Sequence, residues 1–180
     1  MRVLLIHGYK SQADAGWLKR LRDDLIARGA EVAVVAPGKE FVWEVWREGL
    51  RGALGASPDV VVAHSLGAYA LLKVLGESRA KMRKVLLVAG FAREYSSPVI
   101  DHLKNKFVAW FDAEIPFEDV RRRAAEWRVF HSDDDEIVPL EEGKWLAERL
   151  GAQLQILHLR HLGDEQGEIE VPEVLKEIWS

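Results

Sequence analysis

The sequence predicts an α/β fold in which a mostly parallel β-sheet lies between two layers of helices. Short apolar runs, typical of strands buried on both faces, alternate with helical segments along the whole chain. Alternation of this kind predicts right-handed crossover connections between parallel strands. The chain has 180 residues, which fits a single domain over 1–180.

Six strands are predicted, each from a short β-rich run. The runs span 3–6, 32–35, 60–62 and 85–88, then about 127–130 and about 154–159. Helices are predicted where apolar residues recur with a period near 3.6 residues. These segments are 17–26, closed by Gly29 as a C-terminal cap, then 41–50, 66–75, 140–150 and 171–179.

One long stretch, 91–125, breaks the alternation between the fourth and fifth strands. It contains an aromatic cluster that includes Trp110 and Phe111. Ligands of parallel sheets bind outside the carboxyl ends of the strands, and this stretch leaves such an end. We therefore expect 91–125 to be a lid-like segment over a site, with Trp110 and Phe111 as substrate contacts. The alternative is one or two ordinary packing helices.

Composition and charge exclude several classes of function. The 25 basic and 29 acidic residues give a formal net charge of −4, which argues against nucleic acid or an anionic membrane as a partner. The absence of cysteine rules out a disulfide framework, a thiolate metal site and a cysteine nucleophile. No apolar run approaches the roughly 20 residues that span a bilayer, and the first residues do not resemble a signal peptide. We therefore expect a soluble, cytoplasmic protein.

The most informative motif is a serine at the junction between the third strand and the next helix. Residues 60–67 read Val-Val-Val-Ala-His-Ser-Leu-Gly, so that the small residues Ala63 and Gly67 stand two positions before and after Ser65. This is the pattern of a nucleophile elbow, with alanine in place of the first glycine. The sharp turn exposes the hydroxyl and leaves room only for small neighbours. We predict that Ser65 is a nucleophile; the alternative is a helix cap.

A serine nucleophile needs a base and an orienting carboxylate, which on this type of sheet follow it in the order acid, then histidine. Three consecutive aspartates, 133–135, follow the fifth strand, and His161 follows the sixth. His161 is the predicted base, because His158 is expected to point into packing or onto the opposite face. Adjacent side chains diverge, so only one aspartate can face His161. The other two should face water or bond the amides of their own turn.

The loop after the first strand, His7-Gly8-Tyr9, is expected to lie beside the serine turn. Gly8 lets the backbone pass close to that turn. Two amides are needed to bind an oxyanion, and we expect the backbone N–H groups of Leu66 and Tyr9 to supply them. His7 is expected to brace the loop rather than to take part in the chemistry.

With these motifs the sequence resembles the α/β-hydrolase superfamily, and more closely the small serine hydrolases of the YdeN and retinoblastoma-binding-protein-9 group. The resemblance spans nearly the whole chain and rests on His7-Gly8-Tyr9, Ala63-His64-Ser65-Leu66-Gly67, Asp135-Glu136-Ile137-Val138-Pro139 and His161. Two positions depart from the group. Ala63 replaces a glycine of the elbow, and Arg160 stands where members usually have glycine.

The resemblance implies about six parallel strands in the order 2-1-3-4-5-6, helices on both faces, and a Ser65–His161–Asp135 triad. Asp135 is chosen among the aspartates because it stands four residues before Pro139, as in the Asp-x-x-Val-Pro pattern of these hydrolases. We expect such a triad to hydrolyse small or medium carboxylic esters, because the aromatic residues between Phe91 and Phe117 favour an apolar group of that size. Amide substrates are an alternative, and the expected mechanism uses no cofactor or metal. Binding to the retinoblastoma protein is not expected, because its usual Leu-x-Cys-x-Glu peptide requires a cysteine.

Other classes of function are weighed against this one. The main alternative is a non-catalytic binding module on the same fold, since a fold does not imply activity. A nucleotide-binding protein is disfavoured, because the loop after the first strand has no glycine-rich phosphate pattern. A metal hydrolase is disfavoured, because the sequence has no H-E-x-x-H motif and no calcium-binding loop.

Overall fold

The computed structural model describes residues 1–9, 16–35, 42–97, 101, 110–111, 114–161 and 171–180. Strands and helices alternate along these ranges. The strands are β1 (Arg2–Ile6), β2 (Glu31–Val35), β3 (Val60–His64), β4 (Met82–Val88), β5 (Ala124–Ser132) and β6 (Gln153–Leu157). The helices are α1 (Gly16–Ala27), α2 (Trp43–Gly55), α3 (Leu66–Glu77), α4 (Phe117–Arg121), α5 (Leu140–Leu150) and α6 (Pro172–Trp179).

The six strands form one sheet in the order β2-β1-β3-β4-β5-β6, and every pairing in it is parallel. The predicted fold class and strand order are therefore confirmed. In a parallel sheet all the carboxyl ends lie on one edge. Ser65, the aspartate run 133–135 and His161 come shortly after strands β3, β5 and β6, so the sheet brings their three loops to the same edge.

Side chains of alternate strand residues pack into two separate cores, one on each face of the sheet. Leu4 and Ile6 of β1 join a core covered by α2, α3 and α5, whereas Val3 and Leu5 join a core covered by α1 and α6. Because both faces are buried, each central strand is a continuous apolar run rather than an alternating one. This double burial is the physical reason why β1, β3 and β4 were predictable from the sequence.

Two predicted boundaries differ from the structure. Strand β5 begins at Ala124, three residues before its predicted start, because Glu126 and Arg128 interrupt the apolar pattern. Strand β6 ends at Leu157 rather than near 159, since the chain turns there toward the loop that carries His161. Phe41, included in the predicted second helix, lies outside the described residues. Within the described residues, no helix is long and apolar enough to cross a membrane.

Strand β4 carries a buried lysine that links helix α6 to the sheet. Lys84 is fully buried, and its Nζ donates hydrogen bonds to the carbonyl oxygen and the Oε1 of Glu177, at 3.0 and 2.9 Å, and to Ser180 Oγ at 2.8 Å. A buried ammonium group is tolerated only when it is paired and hydrogen-bonded in this way. Helix α6 is thereby fixed near the amino-terminal end of β4, away from the edge of the sheet that carries Ser65.

The described parts of the stretch 91–125 pack on the α2–α3 side of the sheet. The ring of Trp110 is only 1% exposed and lies 5.3 Å, between ring centroids, from both Trp43 and Trp46. Its carbonyl oxygen accepts hydrogen bonds from Tyr69 Oη and Lys73 Nζ. The ring of Trp110 thus packs in the core, as expected if this stretch is ordinary packing rather than a lid. The lid-like function of 91–125 stays a prediction.

Candidate active site

The backbone turns sharply at Ser65, between β3 and α3. Ser65 has φ 52° and ψ −122°, a region that L-residues rarely occupy and that costs about 1–3 kcal/mol unless the surroundings enforce it. The amide of Ser65 donates a hydrogen bond to the carbonyl oxygen of Val88 at 3.0 Å, and its own carbonyl oxygen accepts one from Ala68 at 2.9 Å. The turn is therefore held by β4 on one side and by the first turn of α3 on the other.

Close backbone approaches explain the small residues around the turn. A Cβ atom at Gly67 would collide with the carbonyl oxygen of His7 and would lie 2.9 Å from Ile6 Cγ2. A Cβ atom at Gly8 would lie 2.9 Å from the Cβ of Ser65. Real carbon atoms do not approach so closely without displacing a neighbour. The strand-end loop of β1 and the serine turn thus pack backbone against backbone, as the motifs predicted.

Ser65, His161 and Asp135 form one continuous chain of hydrogen bonds. The hydroxyl of Ser65 lies 3.0 Å from Nε2 of His161, and Nδ1 of His161 lies 2.8 Å from Oδ2 and 3.0 Å from Oδ1 of Asp135. With the proton on Nδ1, the imidazole donates to the carboxylate and accepts from the serine. The structure brings these three predicted residues together although 96 positions separate Ser65 from His161.

Asp135 is held as a buried carboxylate. Its side chain is fully buried, and its Oδ1 accepts hydrogen bonds from the amides of Ile137 and Val138, both at 2.9 Å. Burial alone would raise the pKa of Asp135, but the hydrogen bond and charge of His161 and the two amides outweigh it and lower the pKa below its ordinary value. Asp135 is therefore ionised at neutral pH.

All three aspartates, not only Asp135, contact the loop that carries His161. Oδ1 of Asp133 accepts a hydrogen bond from Nδ1 of His158 at 2.7 Å, and Oδ1 of Asp134 accepts one from the amide of Arg160 at 2.8 Å. The expectation that the other two aspartates face water or bond their own turn is therefore wrong for Asp134. The two loops are linked residue by residue, because β5 and β6 are neighbours and end together.

His158 does not point into packing, which was one of its two expected orientations. Its side chain is 79% exposed and pairs with Asp133, because β6 ends one residue before it and the side chain escapes the sheet. The hydrogen bond to Asp133 raises the pKa of His158 above its ordinary value. Among the described residues, Asp133, Asp134 and His158 are the one group whose atoms could converge on a metal ion. Because these side chains already pair with each other at the surface, we assign no metal site to them.

Three further buried histidines lie around the site, and one of them, His131, has its Nε2 3.7 Å from Oδ2 of Asp135. His7 donates from Nδ1 to the carbonyl oxygen of Gly8 at 2.7 Å and so braces its loop, as predicted. His64, which sequence reasoning did not use, donates from Nε2 to the carbonyl oxygen of His161 at 3.0 Å. Burial, together with the charge of His161, lowers the pKa of His64 to about 3, so His64 is neutral. The sequence could have indicated a role for His64, because a polar residue at the end of a fully buried strand must have a hydrogen-bond partner.

The two amides expected to form an oxyanion hole belong to residues in or beside the serine turn. Leu66 is the first residue of α3, where backbone N–H groups have no partner within the helix. Tyr9 lies in the loop that follows β1, whose Gly8 approaches the serine turn. Both amides therefore come from segments adjacent to the serine, and their role in binding an oxyanion stays a prediction.

A cavity of about 780 Å³ lies beside α3, on the side of Phe111. Aromatic rings, of Tyr69, Phe111, Phe117 and Trp145, form much of its wall, and two arginines, Arg93 and Arg149, flank the ring of Trp145 at 4.7 and 5.1 Å. Tyr69 is one helical turn after Ser65. Phe111, one of the predicted substrate contacts, lines this cavity; the ring of Trp110 packs in the core instead.

A serine at a strained strand-to-helix turn, bonded to a histidine and a buried carboxylate on a parallel sheet, defines the class of serine hydrolases with the α/β-hydrolase fold. The chain belongs to the serine hydrolase family, whose model matches residues 3–179. It is 30% identical over 178 residues to YdeN of Bacillus subtilis, covering 95% of this chain and 90% of YdeN. The predicted resemblance to the YdeN group is therefore confirmed.

Solved structures agree with this assignment. The crystal structure of the ydeN gene product of B. subtilis superimposes with a TM-score of 0.85 and 25% identity, covering 99% of this chain and 96% of that chain. The esterase domain of a Rhodothermus marinus protein superimposes with a TM-score of 0.65 and 19% identity, covering 91% and 78%. The second likeness concerns the fold alone.

The close approach at Gly67 gives a prediction about stability. Gly67→Ala should lower the free energy of unfolding by about 1–3 kcal/mol, the usual cost of overpacking, because the new methyl group meets backbone that cannot rotate away. The matched control is Gly52→Ala in α2, where a Cβ atom would meet nothing within 4 Å. That change should raise stability by up to about 1 kcal/mol through helix propensity. Denaturant unfolding measures both, and equal effects of the two changes would contradict the packing argument.

Proposed function

We propose that this serine hydrolase cleaves small or medium carboxylic esters through an acyl-enzyme, with Ser65 as nucleophile, His161 as general base and Asp135 as the orienting carboxylate. The family supports hydrolase activity; the ester specificity and the triad are the proposal. The observation that carries it is the hydrogen-bonded series from Ser65 Oγ through the imidazole of His161 to Asp135. A serine hydroxyl is a weak nucleophile until a base in this position removes its proton.

Acylation begins when Ser65 Oγ attacks the ester carbonyl carbon while its proton passes to Nε2 of His161. Asp135 accepts the Nδ1–H bond throughout and stabilises the imidazolium. The carbonyl oxygen becomes an oxyanion, which the amides of Leu66 and Tyr9 bind. The intermediate then collapses: the bond to the alcohol oxygen breaks, that oxygen takes the proton from Nε2, and the acyl group stays on Ser65.

Deacylation repeats these steps with water. His161, again neutral, accepts a proton from the attacking water, and the second tetrahedral intermediate expels Ser65 Oγ, which recovers its proton. The products are the carboxylic acid and the free serine. Every proton transfer involves residues of this chain, so the proposal requires no cofactor. An amide would follow the same steps with an amine as leaving group.

The cavity near α3 is the candidate pocket for a substrate group of limited size, although Ser65, Asp135 and His161 do not line it. The rings of Tyr69, Phe111 and Trp145 give it apolar surface, and charged side chains share the rest of its wall: Arg93, Glu94, Glu114, Glu118 and Arg149. We assign Phe111 to this pocket as a substrate contact. Trp110 contributes to it only through its backbone, because its carbonyl oxygen accepts a hydrogen bond from Tyr69, which lines the pocket. Small and medium esters are therefore the first substrates to assay, across a series of chain lengths.

Replacing the serine tests whether the protein is an enzyme or a binding module. Ser65→Ala should abolish nearly all ester hydrolysis while leaving thermal unfolding unchanged, because loss of a triad member costs several orders of magnitude in turnover. A fluorophosphonate probe should label the wild-type protein stoichiometrically at Ser65 and leave the variant unlabelled. A variant that kept more than about a tenth of the activity would point to another nucleophile. Absence of labelling in the wild type would favour the binding module.

Single Asp→Asn changes test which carboxylate orients His161. Asp135→Asn should lower turnover by up to about 10⁴-fold, because an amide that donates to Nδ1 favours the wrong tautomer of the imidazole. The matched control, Asp133→Asn, should change turnover less than about tenfold, since Asp133 binds the exposed His158. Steady-state kinetics of the two variants decides the matter. Should Asp134→Asn prove crippled while Asp135→Asn stays nearly normal, the assignment would be wrong by one residue.

Two neighbouring aromatic residues test the substrate pocket. Phe111→Ala should change the preference for ester chain length with a small loss of stability, because Phe111 lines the cavity and is partly exposed. Trp110→Ala should cost about 3–5 kcal/mol of stability, as is usual for a large aromatic truncated in a core. Activity across a chain-length series and denaturant unfolding give the two readouts. An unchanged substrate profile for Phe111→Ala would remove this cavity from the proposal.

A further inference from the structure

Side chains from other parts of the fold bind the backbone of residues 160 and 161, and just before them the amide of Leu159 donates to Ser132 Oγ at 3.2 Å. The amide of Arg160 donates to Oδ1 of Asp134 at 2.8 Å, and the carbonyl oxygen of His161 accepts the Nε2–H of His64 at 3.0 Å. Arg160 is therefore bound to the loop that follows β5, and His161 is bound to the last residue of β3.

The segment between these two points is strained. Arg160 has φ 50°, the left-handed region in which a residue with a Cβ atom costs roughly 1–2 kcal/mol relative to its ordinary conformation. Such a conformation persists only where the surroundings enforce it. The hydrogen bond from the Arg160 amide to Asp134 is such a restraint, and it directly precedes the residue whose ring must reach both Ser65 and Asp135.

His64 is suited to hold the second point. Its ring is buried and lies edge-on to Trp17, with ring centroids 5.6 Å apart, so the ring has little freedom. A carbonyl oxygen can only accept, so Nε2 of His64 must carry a proton. The low pKa of His64 keeps the ring neutral, and no second cation forms 5.1 Å from the ring of His161.

We propose that Asp134 and His64 are positioning residues, which clamp the backbone of residues 160–161 so that the imidazole of His161 reaches both Ser65 and Asp135. The inference rests on the proposed triad and extends it, since neither side chain touches the reacting atoms. A misplacement of about 1 Å can cost roughly 10²-fold in turnover. Loss of either restraint should therefore reduce kcat and leave KM nearly unchanged.

The aspartate arm of the clamp has a close control in the same loop. Asp134→Ala removes the acceptor for the Arg160 amide and should lower kcat by about 10- to 100-fold. Asp134→Asn keeps an acceptor oxygen and should restore kcat to within about threefold of wild type. Asp133→Ala removes a neighbouring carboxylate whose side-chain partner, within the described part of the chain, is the exposed His158, and it should leave kcat within about threefold as well.

Two substitutions of His64 separate the effect of its ring shape from the effect of its hydrogen bond to the carbonyl oxygen of His161. His64→Phe keeps a ring but removes the donor, and should lower kcat by at least about tenfold. His64→Gln supplies an amide N–H near the position of Nε2 and should recover most of that loss. Thermal unfolding of each variant identifies any that fail to fold, and for such a variant the Asp134 series alone decides.

The outcomes separate this inference from the proposed function. If the wild type hydrolyses esters and Ser65→Ala does not, the proposed function stands, and kcat of Asp134→Ala and Asp134→Asn then tests the clamp. Equal kcat values for Asp134→Ala, Asp133→Ala and wild type would overturn the role of Asp134. Equal losses for His64→Phe and His64→Gln would overturn the role of the His64 hydrogen bond. An inactive wild-type protein would overturn the proposed function itself.

Discussion

The tight crossing of three backbone segments at Ser65 is the constraint on which the rest of the site depends. The serine turn is bonded to the end of β4, the first turn of α3 lies against the end of β1, and the loop after β1 runs past the serine side chain. This arrangement is possible only if β1, β3 and β4 are neighbours in a parallel sheet, because only then do their carboxyl ends meet. It also excludes side chains at Gly8 and Gly67, since no space for a Cβ atom remains between the segments.

The buried histidines around the site are neutral, whereas the buried carboxylate of Asp135 is ionised. Burial lowers the pKa values of His7, His64 and His131, so these three imidazoles stay neutral at neutral pH. Each of them donates a hydrogen bond to a backbone carbonyl oxygen, of Gly8, His161 and Val138 respectively. The buried carboxylate of Asp135 is left to face His161, and in the proposed mechanism it is the partner of the imidazolium.

The elements that carry the proposed triad differ from those that form the cavity. Ser65, Asp135 and His161 follow strands of the sheet, whereas the cavity is walled mainly by segments after β4, by α4 and by the outer side of α5. Sites on rigid elements keep their geometry, and the connecting segments around them vary with the substrate. Membership of the family therefore supports the hydrolase chemistry, and the proposal places substrate selection in the cavity that Phe111 and Trp145 line.

The sequence by itself determined the strands, the helices that follow them and the serine turn, because these features depend on local periodicity and on small residues at fixed offsets. The sequence also predicted the loop that holds Asp133, Asp134 and Asp135, but its local pattern did not distinguish the three. The resemblance to the family selected Asp135. Only the tertiary structure decided that Asp134 binds the Arg160 amide, that His64 binds the carbonyl oxygen of His161, and that the ring of Trp110 is buried. The two hydrogen bonds join residues that are 26 and 97 positions apart in the chain. They form only because the sheet places the ends of β3, β5 and β6 on one edge.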